Sequence, residues 1–141
     1  MGKYRTESNA ESGYKMPKEK EVSTRLLRPT LPQIDIDQVL SVVEHWDSAW
    51  ENDASIRIFD EGIAQYMLVD PESHLKFFAA LVLSKPSLRC TIIDEEPEDE
   101  LDNEAGNTFT LFMRHSPNAD GFKRIEYLKQ TLQKRGYRFD H

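Results

Sequence analysis

Residues 63–83 read IAQYMLVDPESHLKFFAALVL, a strand that runs straight into a helix. Asp70 is placed to cap the helix, and Pro71 suits its first turn because that position needs no N–H donor. Leu75, Phe77, Phe78, Leu81, Val82 and Leu83 make the helix apolar around most of its circumference. Such a helix lies against a sheet and is covered by other elements. Every other part of the chain is read by where it falls relative to this unit.

Upstream, Ile56 to Phe59 is a second β-like run, joined to Ile63–Val69 through Asp60-Glu61-Gly62. A short Gly-containing connection between two such runs signals a hairpin. Further upstream, Val39, Val42, Val43, Trp46, Ala49 and Trp50 fall on one stripe at helical spacing. Asp35 is its N-cap, Gln38 completes a capping box, and Ile34 with Val39 forms a hydrophobic staple. Two tryptophans on a stripe can mark a binding face, but helical periodicity favours core.

Downstream, Pro86 stops the central helix and Leu88 to Ile93 is a strand with Leu88, Cys90 and Ile92 on one face. Thr108 to Arg114 is another, with Phe109, Leu111 and Met113 turned one way. Between them lies the acidic stretch Asp94, Glu95, Glu96, Glu98, Asp99, Glu100, Asp102 and Glu104, with no basic residue. Like charges so close repel, which predicts an extended loop joining the two strands as a hairpin. Pro117-Asn118-Ala119-Asp120 opens a last helix whose buried stripe is Phe122, Ile125, Leu128 and Leu132. Gly136 sits at a C-cap position, and Tyr137-Arg138-Phe139 has the pattern of a short edge strand.

Residues 1–33 differ from all this. They are rich in charge, contain Pro17, Pro29 and Pro32, and carry a net charge of +3, against −10 for the remainder. This composition predicts a disordered or extended basic arm, followed by one α+β domain over residues 34–141. A basic arm beside an acidic body meets another surface or folds back on its own. Within it, Arg25, Leu26, Leu27 and Arg28 group apolar and basic side chains. Arg25-Leu26-Leu27-Arg28 resembles the host-targeting motif of oomycete effectors, but no apolar signal region precedes it.

Composition narrows the function classes. At 141 residues the chain is long enough for one core without staples, and its single cysteine, Cys90, excludes an internal disulfide. No apolar run approaches the roughly 20 residues of a membrane span, and the expected setting is cytoplasmic. A net charge of −7 disfavours bulk nucleic-acid or anionic-membrane binding. His45, His74, His115 and Cys90 show no metal-ligand spacing, and no calcium-loop spacing fits the acidic stretch. No serine or cysteine sits in a nucleophile elbow, and the six glycines are too scattered for a phosphate loop. Cys90 alternates with core residues and reads as an inert buried thiol. His115 follows a strand and is the one candidate base, though a lone histidine at a strand end is more often a surface residue.

The order from Ile63 onward, β-α-β-β-α-β, is that of ferredoxin-like domains. Gly106-Asn107-Thr108-Phe109-Thr110-Leu111-Phe112 resembles the third-strand signature of RNA-recognition motifs, which share that arrangement. The resemblance implies a base-stacking role for Phe109, with Leu111 in place of the second aromatic, and Tyr66 as the nearest first-strand counterpart. In that arrangement the strand from Ile63 takes the Thr108 and Tyr137 strands as neighbours, whereas the local hairpin gives one side to Ile56–Phe59. If the hairpin holds, the order is α-β-β-α-β-β-α, which in size and coarse order is similar to acidic secretion chaperones.

The expected fold is therefore an antiparallel sheet of four to five strands covered by about three helices. The expected function is a non-enzymatic protein-interaction module: an adaptor, assembly subunit or inhibitor. The eight acids of the loop, with Arg25, Leu26, Leu27 and Arg28 of the arm, contact another protein that carries a basic surface. An RNA-binding ferredoxin-like domain is the alternative, and an enzyme of unknown class comes third. No cofactor, metal ligand or catalytic residue is assigned.

Overall fold

The computed structural model describes residues 18–47, 52–101, 109–117 and 121–140. The elements in chain order begin with β1 (Lys18–Ser23), a 3-10 turn (Thr24–Leu26), β2 (Leu27–Arg28), β3 (Gln33–Asp35) and α1 (Ile36–Glu44). They continue with β4 (Ile56–Asp60), β5 (Tyr66–Leu68), α2 (Pro71–Val82), β6 (Ser87–Ile93), β7 (Phe109–Arg114), α3 (Phe122–Lys134) and β8 (Tyr137–Asp140).

The β5–α2 unit takes the central place that its sequence implies. The Asp70 carboxylate accepts the Ser73 N–H at 2.8 Å, with Pro71 in the first turn. Phe77, Phe78, Ala79, Ala80 and Leu81 are buried, so α2 is covered on several sides. The hairpin also forms: β4 and β5 pair antiparallel, with Ile58 opposite Leu68 and Asp60 opposite Tyr66. Its turn runs through Gly62 and Ala64, both at positive φ. Asp35 caps α1 by accepting the Gln38 N–H at 3.2 Å, and the staple residues Ile34 and Val39 are buried. Val43 is buried while Val42 and Trp46 pack half-buried against the core. Ala49 and Trp50 lie outside the described residues.

The sheet departs from the expected antiparallel arrangement. A curled five-stranded sheet has the order β1-β6-β4-β5-β2, and a three-stranded sheet has the order β3-β7-β8. Parallel pairs join β4 to β6, β2 to β5, β3 to β7 and β7 to β8. The connection from β4 to β6 passes through β5 and α2, which gives the length that a parallel crossover requires. Strand β5 has β4 on one side and β2 on the other, so the ferredoxin-like alternative is excluded. The terminal strand, Tyr137–Asp140, pairs with β7 instead.

Two further expectations are corrected. The acidic stretch does not close a hairpin: β6 already has β1 and β4 as neighbours, and β7 belongs to the other sheet. The boundary near Ile34 does not divide fold from arm either. Strand β1 pairs antiparallel with β6, with Val22 opposite Leu88 and Lys20 opposite Cys90. Val22, Thr24, Leu27 and Thr30 are buried. The period-2 pattern of this short strand was hidden by its charges, since Glu19 and Glu21 face Arg89 and Ser87 on the solvent side. Lys20 lies on the opposite face and donates to the Tyr66 hydroxyl at 2.8 Å. Residues 1–17 lie outside the described residues.

Helix α3 starts at Phe122 after Gly121, which has φ +80° and leaves the N-terminus without a side-chain cap. Ile125, Leu128 and Leu132 are buried as the stripe predicts, but Phe122 is 71% exposed because the helix has only begun there.

Candidate functional site

The acidic stretch begins where β6 leaves the five-stranded sheet. Asp94, Glu95, Glu96, Glu98 and Glu100 are exposed, and Leu101 anchors the segment by burying its side chain. Asp99 turns inward and meets Arg28. The Arg28 Nε and Nη2 donate to the two oxygens of Glu61 at 2.8 and 3.1 Å, and Nη2 reaches Asp99 Oδ2 at 2.9 Å. The two carboxylates hold the guanidinium pKa above its ordinary value, with the Glu61 hydrogen bonds the larger cause. One cation from β2 thus ties the β4–β5 turn to the acidic segment. Asp102 and Glu104 lie outside the described residues.

Of the four arm residues singled out in the sequence, the structure separates two from two. Arg25 and Leu26 are exposed on the 3-10 turn, whereas Leu27 is buried and Arg28 is engaged within the chain. Leu27 and Arg28 therefore serve the fold, and Leu27 has no surface to offer a partner.

A second tie lies between the sheets. The chain crosses from β2 to β3 through Pro29, Thr30, Leu31 and Pro32. The Thr30 and Leu31 N–H groups both donate to His74 Nε2, at 2.9 and 3.2 Å. His74 Nδ1–H donates to the Asp70 carbonyl at 2.7 Å, which identifies the tautomer. Thr30 Oγ1 donates to the Leu68 carbonyl, and the Thr30 carbonyl accepts the Glu100 N–H at 2.8 Å. Burial lowers the His74 pKa, because the charged ring loses water, and this outweighs the opposing pull of the Asp70 carbonyl and carboxylate. Thr30 thereby links α2, β5 and the acidic segment.

Beside this tie runs a cleft of about 450 Å³ between β3 and α2. Half-buried Leu31 and Leu75 line it above the buried Ile34 and Phe78, and Gln33, Gln38, Glu100 and Arg114 are its exposed lining residues. A smaller cleft of about 260 Å³ sits between the end of β7 and α3, beside His115 and the exposed Phe122. His115 is exposed, and its Nδ1–H contacts the Ser116 carbonyl at 3.0 Å.

Cys90 is buried, and burial pushes its thiol up to about 12, out of the range of a nucleophile at neutral pH. Among the described residues no group of three or more His, Cys, Asp or Glu side chains is placed to hold a metal, and no helix is long and apolar enough to cross a membrane. Leu111 is buried, so it cannot take the stacking place that the third-strand resemblance gives it.

Sequence reading missed Glu61, Thr30 and the His74 acceptor role. Glu61 was legible only as a turn residue, and Thr30 only as a neighbour of two prolines. The partners of each lie some thirty or more positions away, beyond the reach of any local pattern. Comparison with family models, curated proteins and solved structures finds no match to this chain.

Proposed function

We propose that this chain is a protein-interaction module without chemistry of its own, an adaptor, assembly subunit or inhibitor, whose acidic segment receives a basic surface of another protein. The observation that carries this reading is the run of exposed carboxylates at Asp94, Glu95, Glu96, Glu98 and Glu100, held at both ends by the fold. Asp99 and Leu101 pin the segment inward while the five other described carboxylates stay exposed. A tethered acidic run presents its charges in one place, which favours steered encounter with a basic partner. Two of the groups that could serve catalysis have structural duties: His74 binds backbone N–H groups and Cys90 sits in the core.

A nucleic-acid role is the second reading, and one observation favours it. Phe112 is 43% exposed on the outer face of the three-stranded sheet, the face that also carries Thr110, Arg114 and Arg138. An exposed aromatic beside arginines suits a stacked base.

The test replaces the five exposed acids by Asn or Gln and repeats affinity capture from source extract, with and without nuclease. Basic proteins retained by the native chain and lost by the variant support the first reading. Retention of the same set by both chains would remove the acidic segment from binding. Loss of every partner on nuclease treatment favours the second reading.

A further inference from the structure

We infer that the cleft between β3 and α2 is a slot for an extended segment of a partner protein, which adds to the open edge of β3 as a strand. Among the described residues, strand β3 is terminal in its sheet and pairs only with β7. The Phe112 N–H donates to the Pro32 carbonyl at 2.7 Å, so Pro32 points its backbone polar group toward β7. Along a strand these directions alternate, and Gln33 therefore turns its N–H and C=O to the opposite side. That side is the one facing α2, where the Leu31 N–H already meets His74. The backbone of Gln33 thus opens into the cleft with a donor and an acceptor to offer.

The walls suit a strand rather than a helix or a small polar ligand. Leu31 and Leu75 line the cleft half-buried, and the fully buried Ile34 and Phe78 lie beneath them as its floor. With the Leu31 N–H taken by His74, the edge from Pro32 to Asp35 is about 10 Å long at strand rise, enough for roughly three residues of a visiting chain. Main-chain hydrogen bonds to a sheet edge supply affinity in this mode, and pockets for alternate side chains supply selection.

Charge gives the visitor its polarity. Glu100 stands at the Leu31 end, tied there by its N–H to the Thr30 carbonyl, and leads directly into the exposed carboxylates of the acidic segment. Arg114 stands at the other end, opposite Asp35 in the β3–β7 register. The matching occupant is a short apolar β-segment with Lys or Arg beyond the end that reaches Glu100. This basic end rests on the reading of the acidic segment given above; the strand-addition slot does not.

The test selects phage-displayed random short peptides on the full chain and titrates a synthetic winner into isotope-labelled protein. Expected winners alternate apolar residues and carry a basic end, and the amide signals of Leu31, Gln33 and Leu75 shift on binding. Leu75→Glu, at a half-buried position that also packs on the core, weakens the winner by about tenfold or more in a variant whose cooperative melt shows that it is still folded. Methylating alternate backbone nitrogens of the peptide does the same with the protein untouched. No enrichment, or winners that ignore both changes, would overturn the slot. Winners that are wholly basic, indifferent to Leu75→Glu and lost in salt would overturn it while leaving the acidic-segment reading intact. Apolar winners without a basic end would support the slot and remove the acidic segment from it.

Discussion

His74 Nε2 accepts the Thr30 backbone N–H at 2.9 Å, joining α2 to the crossover between the two sheets. The same nitrogen takes the Leu31 N–H, and Thr30 passes the constraint on to Glu100 through its carbonyl. The arrangement works only with a neutral ring, since a protonated Nε2 would point a hydrogen at two others.

Stability is therefore expected to fall in mild acid through this residue. The folded chain holds the His74 pKa below the ordinary value of about 6.5, whereas the unfolded chain titrates there. The unfolded state binds the proton first as pH drops. The His74 contribution is thus fully present above about pH 6.5 and is lost as pH falls toward the folded pKa. His74→Gln is expected to cost about 1–3 kcal/mol near neutrality and to flatten this slope. Urea melts of both chains across the interval check it; parallel curves would dismiss the ring as the cause.

Leu26 and Leu27 are expected to answer differently to truncation. Leu27 is 3% exposed and Leu26 37%. Leu27→Ala should cost about 2–5 kcal/mol, whereas Leu26→Ala, at a surface position, should stay within about 0.5 kcal/mol. Equal effects would return this segment to the status of a loose arm.

Arg28 and Asp99 form a pair whose coupling can be measured. Both side chains are largely shielded, at 18% and 23% exposed, and Arg28 is also held by Glu61. A double-mutant cycle with Arg28→Met and Asp99→Asn should give about 0.5–3 kcal/mol of coupling that survives added salt. A value near zero would leave the acidic segment tethered by Thr30 and Leu101 alone.

Phe78 and Phe122 both fall on helical stripes in the sequence, yet the structure separates them. Phe78→Ala should cost about 3–5 kcal/mol. Phe122→Ala should stay within about 0.5 kcal/mol, because its ring meets water at the first turn of α3. Thermal melts of the two variants decide this, and a comparable loss at Phe122 would place that ring in the core.

What the sequence determines by itself is local. The Asp70 and Asp35 caps, the Gly62 turn, the β4–β5 hairpin and the buried stripe of α3 follow from contacts a few residues apart, where residue type and spacing carry the physics. The acidic run is likewise visible in composition, though not what lies around it. Tertiary structure decided which strands became neighbours. A strand's pattern says which face is buried, not which partner it pairs with, so β1, β2 and the crossover passed for an arm until β6 and β5 were seen to use them. The candidate site has the same origin. Glu61, Arg28 and Asp99 come from three distant segments, as do Thr30, His74 and Glu100, and the cleft along β3 is lined by residues of β3, α2 and the acidic segment that only the packing brings together.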